Sequence, residues 1–266
     1  MTLIDISSWR LAAGYLLLGV PLGIMLWLRL PILGQTVIAV ARMTVQLLFV
    51  GFYLQFVFTL NNLWITGAWV LIMIAVADAS IVRSCRMRLG KLGKGMFLAL
   101  LAGTLVPLLI FVLLVLQGTT ALDAQYVIPI CGMILGNCLR ADIIGIRTFY
   151  ESLRNGEKTY LLGLAQGANQ QEALQPFVRD AFQAALAPTV ASMATIGLVS
   201  LPGMMTGVIL GGGNPMTAIK YQIAIMIAIF SGTAMTVILA IHLTARHNFT
   251  DRGILDRDLF LSAGGR

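Results

Sequence analysis

Charge is what this 266-residue sequence has least of: 11% of its residues are Asp, Glu, Lys or Arg, against 58% hydrophobic residues and a mean hydropathy of +0.89. Soluble domains carry about 25% charged residues, so a soluble fold is not expected. Cysteine is scarce too. Cys85, Cys131 and Cys138 form no CxxC pair and offer neither a disulfide framework nor a zinc ribbon. Cys131 and Cys138 stand two helical turns, about 10 Å, apart, too far to bridge. The two histidines, His242 and His247, belong to no HExxH motif, and no acidic pair is set to activate water, so a hydrolase is not expected. GxxxxGK[ST] is missing as well. The GKLGKG stretch at Gly90–Gly95 has the wrong spacing and no Ser or Thr, so ATP is not bound here through that loop. The chain is expected to catalyse nothing, to bind no cofactor and to fix no metal ligand set. Neither alternation nor evenly spaced turns support strands.

Uncharged runs fill the sequence instead. Eighteen residues at 1.5 Å each cover most of the roughly 30 Å of hydrocarbon in a bilayer. Runs of that order predict one all-α transmembrane domain over 1–266, with about seven spans near residues 11–28, 36–60, 63–80, 95–116, 125–147, 181–210 and 218–245. The first run follows Asp5 and Arg10 and is long enough to remain in the membrane, which reads as a span rather than a cleaved signal. The formal charge of +7 is concentrated: Arg83, Arg86, Arg88, Lys91 and Lys94 crowd one short loop without an acid. Such a loop marks the cytoplasmic side and a lipid-bilayer partner rather than nucleic acid. Threading from it places the N-terminus outside, the C-terminus in the cytoplasm, and residues 149–180 inside. Arg29, Arg154, Lys158, Arg179, Arg246, Arg252 and Arg257 then also fall inside, leaving Arg10 and Lys220 outside.

Four features could carry function. In the 149–180 loop, Gly167 can end a helix in the left-handed conformation, Asn169 with Glu172 makes a capping box, and Pro176 is expected to stop the new helix after about two turns. Pro176 would then begin the helix that leads through Phe177 and Val178 into the sixth span. Such a short helix suits either a surface that a motor subunit pushes or an amphipathic connector, and its geometry favours neither. Small residues recur four apart at Gly19 and Gly23, Gly132 and Gly136, and Gly203, Gly207 and Gly211, which implies close helix contact. Packing within the chain is expected of the first pair. For the last series a subunit interface competes, because Pro202 and the glycines break helix at membrane depth. Sulfur recurs as Met133, Cys138, Met193, Met204, Met205, Met226 and Met235; these are soft ligands able to pass a transition metal, although core filling is the commoner use of methionine. Polar groups inside spans are few: Arg42 and Gln46 at i and i+4, Asn137, and Asp78 set to pair with Arg83. Arg42 and Asp78 are expected to reach for the interface, whereas Asn137 lies deeper.

Three segments resemble a known family. IPICGMILGN at Ile128–Asn137, TVASMATIGLVSLPGMMTG at Thr189–Gly207 and AIKYQI at Ala218–Ile223 look like the membrane subunit of the Fet-type iron exporters, an ABC transporter family that also includes plant permeases linked to aluminium tolerance. The similarity extends from RMTVQLLFVGFYL at Arg42 to the last span. It implies a permease that pairs with a separate ATPase, the chain that holds ATP and Mg. Ala165-Gln166-Gly167-Ala168 followed by Glu172-Ala173 is similar to the family's LGAT-like turn, with Gln166 and Pro176 as departures. The resulting expectation is a homodimer in the inner (cytoplasmic) membrane that exports iron or another transition metal. Each copy would grip one ATPase through Gly167, Ala168, Asn169, Glu172, Ala173 and Phe177, and Met133, Asn137, Cys138, Met204 and Met205 would line the route. Gly132, Gly136, Gly203, Gly207 and Gly211 would serve packing or the dimer. A permease for an organic solute such as a nucleotide sugar is the alternative. A channel or secondary transporter working alone is disfavoured by the paucity of buried acids.

Overall fold

The computed structural model describes residues 7–118 and 122–249; Asp5, Arg252 and Arg257 lie outside them. Helix α1 (Ser8–Gly14) passes through a 3-10 turn at Tyr15–Leu18 into α2 (Gly19–Trp27), followed by α3 (Leu33–Leu60) and α4 (Leu63–Ser84). Next come α5 (Leu89–Ile110), extended by a π-helical turn at Phe111–Leu116, then α6 (Ala124–Asn155), α7 (Glu157–Ala165), α8 (Gln170–Thr195), α9 (Gly203–Leu210) and α10 (Pro215–Asn248). No strand forms among the described residues. Hydrocarbon offers backbone groups no partner, so a spanning segment satisfies them within its own helix. Six stretches are long and apolar enough to cross a membrane: Trp9–Trp27, Leu33–Leu60, Leu63–Ser84, Leu92–Leu116, Ala124–Asn155 and Pro215–Arg246.

One asparagine pair organises three helix ends. Asn61 takes a left-handed conformation (φ 39°) and closes α3. Its Nδ2 donates to Asp123 Oδ1 at 2.8 Å while its Oδ1 accepts from the Ala124 amide at 3.1 Å, so the end of α3 holds the start of α6. Asn62 Oδ1 accepts from the Trp64 amide at 2.9 Å and caps α4. Beyond this junction α3 leaves the bundle. Val57 is its one buried residue, Tyr53 stacks on Trp69 with centroids 4.1 Å apart, Leu54 packs beside them, and most of the remainder of α3 is exposed.

The core lies between α4, α5, α6, α8 and α10. Three glycines the four-residue spacing does not single out let these helices touch. A Cβ on Gly103 of α5 would collide with Thr236 of α10, standing 2.9 Å from its backbone nitrogen. On Gly232 it would come 2.8 Å from Gly103 O, and on Gly145 of α6 it would meet Val237 Cγ1 at 2.9 Å and Ala185 Cβ at 3.3 Å. The expected first pair does not pack: nothing lies within 4 Å of a Cβ built on Gly19 or Gly23, because α2 sits with α3 outside the bundle.

The stretch expected as a sixth span, 181–210, is divided. Helix α8 stops at Thr195, Ile196 is extended, Gly197 is left-handed (φ +85°), and Pro202 opens α9. A proline disfavours helix in the residue before it, which accounts for the resumption at Gly203. At the other end of α8, Pro176 does not act as expected. The helix runs from Gln170 through Pro176 and Pro188 for 26 residues. A proline forfeits one backbone hydrogen bond. Here the capping box fixes the start of the helix and burial of Leu174, Ala181 and Ala185 holds the turns that follow. Asp78 also departs from expectation. It is 9% exposed with Oδ1 unpartnered, and it does not pair with Arg83, because five residues on a helix place the two on different faces.

Candidate functional site

The α7–α8 corner carries the first group of candidates. Gly167 is left-handed (φ +95°) and follows the cap of α7; its amide donates to Leu164 O at 3.0 Å and the Ala168 amide donates to Gly163 O at 3.1 Å. That pair of bonds is a Schellman closure, which favours glycine at its left-handed position. Two residues on, the Glu172 amide donates to Asn169 Oδ1 at 2.9 Å and the Asn169 amide to Glu172 Oε2 at 2.8 Å, a complete capping box. Gly167, Asn169 and Glu172 are exposed, whereas Ala168, Ala173 and Phe177 are half-buried. Phe177 packs on the α6–α7 joint, where a Cβ on Gly156 would lie 2.8 Å from its Cε1. Tyr160 of α7 is buried, lies against Phe249 with the rings tilted and their centroids 5.9 Å apart, and is bonded by Gln170; burial pushes its hydroxyl above the ordinary range and that hydrogen bond opposes the rise. The corner is thus a rigid, polar-tipped projection. Beside it a cavity of about 110 Å³ lies between Gln170, Leu174 and Val178 of α8 and Ile241 and Arg246 of α10.

Candidates on α6 separate by face. Met133 and Asn137 are half-buried and Gly136 is exposed; the Asn137 Nδ2 donates to Met133 O at 2.8 Å, so its own helix satisfies part of its polarity. Arg140 continues this open edge. Cys138 turns the other way, fully buried, with Sγ 3.4 Å from a Cβ built on Gly232. Gly132 faces Met73 Cε at 3.4 Å, while Gly136, Gly203 and Gly207 meet nothing within 4 Å, and Gly211 is hemmed only by the end of its own helix. Met204 and Met205 are half-buried on α9, and Met204 packs against the core. Among the described residues no three His, Cys, Asp or Glu side chains converge as a metal set.

Residues 8–249 match the family model of the uncharacterised protein family UPF0014. This chain belongs to UPF0014. It is 33% identical over 219 residues to the probable iron export permease protein FetB of Escherichia coli, covering 80% of this chain and 81% of that protein. It is also 33% identical over 231 residues to the protein ALUMINUM SENSITIVE 3 of Arabidopsis thaliana (86% and 82%), and over 222 residues to the UPF0014 membrane protein slr1647 of Synechocystis (84% and 86%). No solved structure matches. Family and helices together make it a multi-pass membrane protein of a permease family.

Two features of this UPF0014 member escaped the sequence reading. On α7, Leu161 and Leu162 are 39% and 58% exposed beside the Gly167 turn, and no motif marks them. Asp142 of α6 is fully buried with neither carboxylate oxygen hydrogen-bonded. Its signal was legible: it occupies the stripe of Ile134, Cys138, Gly145 and Phe149, at helical spacing on the buried face.

Proposed function

We propose that this chain is the membrane-spanning subunit of an ABC transporter, working as a homodimer, driven by a separate ATPase and exporting iron or another transition metal. One observation carries the reading: a relative named for iron export aligns over four-fifths of both chains, and the turn that resembles the family's motor contact is built as an exposed, doubly capped corner. Helices α8 and α9 supply the seventh crossing. They begin beside Ile241 and Arg246 near the end of α10 and finish at Leu210, four intervening residues from its start at Pro215, so together they travel the depth that α10 travels. An odd number of crossings, with the basic loop at Arg83–Lys94 inside, puts the N-terminus out and the C-terminus in.

The break at 196–202 lies within that crossing, and Leu198 and Val199 there are 91% and 80% exposed in the single chain. Irregular backbone at membrane depth is stable where protein covers it or where it lines a wet path. A second copy and the open edge of α6, with Met133, Gly136 and Asn137, meet that requirement. Met204 and Met205 follow the break and stay candidates for the route; Cys138, closed in the bundle, does not.

A second reading, export of an organic anion such as a nucleotide sugar, is favoured by α3. Arg42 and Gln46 are exposed one turn apart, far from its ends, with no ion pair among the described residues. The deciding experiment is ATP-dependent uptake into inside-out vesicles holding this chain with and without its ATPase, offered radioactive iron or a labelled nucleotide sugar. Iron accumulation that needs both chains is the expected result. Accumulation of the sugar nucleotide alone would replace the metal by the anion.

A further inference from the structure

Asp142 is an ionisable group the transport reading does not use. Its surroundings are closed on every side described. From α10, Val237 presses on Gly145 and Thr236 on Gly103, so α5, α6 and α10 are at van der Waals contact around it. Thr236 is the hydroxyl beside the carboxyl, but it donates to Thr233 O at 3.2 Å, and both carboxyl oxygens lack a partner. Helix α4 contributes Cys85, whose thiol donates to Ile143 O at 3.8 Å; its own buried acid, Asp78, lies two turns further along that helix. Helix α8 brings Ala181 and Ala185, and α6 itself places Cys138 one turn away. Among the described residues no cation compensates: Arg140 and Arg147 of α6 are exposed, and Arg147 pairs with Glu151 at 2.8 Å. An ionised carboxylate held this way is far costlier than the neutral acid.

We propose that Asp142 is a proton-binding site, loaded while α5, α6 and α10 close around it and emptied when they part and admit water. The site stands on its own geometry; the cycle that would load and empty it rests on the permease reading. Helices α8, α6 and α10, which carry the motor-facing corner, the open edge and the last crossing, meet at Gly145 one turn from this carboxyl, so a rearrangement of the bundle changes its solvation directly. Transport would then be linked to proton uptake and release, with water as the source and sink.

The probe is dicyclohexylcarbodiimide, an apolar reagent that needs the acid form. The carboxyl proton moves to a carbodiimide nitrogen as the carboxyl oxygen bonds the central carbon, and the adduct rearranges to an N-acylurea with no atom lost. In the full chain held in lipid nanodiscs, peptide mass spectrometry is expected to find the adduct at Asp142. The labelling rate should fall about tenfold per pH unit above its midpoint, and Asp142→Asn should abolish it. Absence of a pH-dependent adduct at Asp142 would overturn the site. In vesicles with the ATPase, Asp142→Asn, checked for an unchanged melting temperature, should lose the pH dependence of transport; a wild-type pH profile would overturn the link to the cycle. If the wild-type chain moves no cargo while the adduct titrates, the permease reading fails and the proton site stands.

Discussion

A methyl group has no room at Gly103: its partner atoms belong to the backbone and short side chain of Thr236, neither of which can swing aside. Overpacking of this kind costs about 1–3 kcal/mol. Gly103→Ala is therefore expected to lower the unfolding midpoint in detergent, while Gly203→Ala, with nothing within 4 Å, should leave the isolated chain unchanged. Equal effects would contradict the packing described. The same contrast explains what single residues reveal in advance. Gly167, Asn169 and Glu172 were legible because a left-handed cap and a capping box are decided within a few residues. Gly103 was not, nor were the surroundings of Asp78 and Asp142, since those are set by helices from elsewhere in the chain. Paired glycines at Gly19 and Gly23 misled for the same reason: spacing records that a close approach is possible, not that a neighbour arrives.

Helices were easier to foresee than their interruptions. Long uncharged runs leave the backbone no alternative to helix in a bilayer, so α3, α4 and α10 follow from length and composition alone. Prolines are less decisive. Pro176 and Pro188 lie inside α8, whereas Pro202 accompanies a true break in which Gly197 supplies the positive φ that proline by itself cannot. The broken α8–α9 pair is the element on which the proposed seventh crossing depends, and it can be tested directly. On a cysteine-free background, a thiol replacing the exposed Lys158 should react with a membrane-impermeant maleimide only from the cytoplasmic side, and one replacing the exposed Met216 only from outside. Labelling of both positions from one side would mean that α8 and α9 do not cross.

At the scale of the molecule, two bodies differ in how they are held. The α4–α10 bundle is knit by buried side chains and close helix contact, while α1–α3 joins it through Tyr53, Val57 and Asn61 near one end. A lipid-facing arm with Arg42 and Gln46 exposed is costly in hydrocarbon, and a second copy would cover it. The capped corner at Gly167–Glu172 projects from the bundle on the side where α10 ends, so force applied there by a motor would reach α6 through Phe177 and α10 through the cavity lined by Leu174 and Ile241. Motor movement is expected to enter the bundle through that corner. Gly167→Ala places a side chain in a left-handed position at a cost of about 1–2 kcal/mol, and Glu172→Ala removes half of the capping box. The decisive measurement is transport by this double variant, reconstituted with its ATPase and confirmed to be inserted and assembled. A loss of tenfold or more in cargo movement with ATP hydrolysis retained is the predicted result; unchanged export would contradict the account.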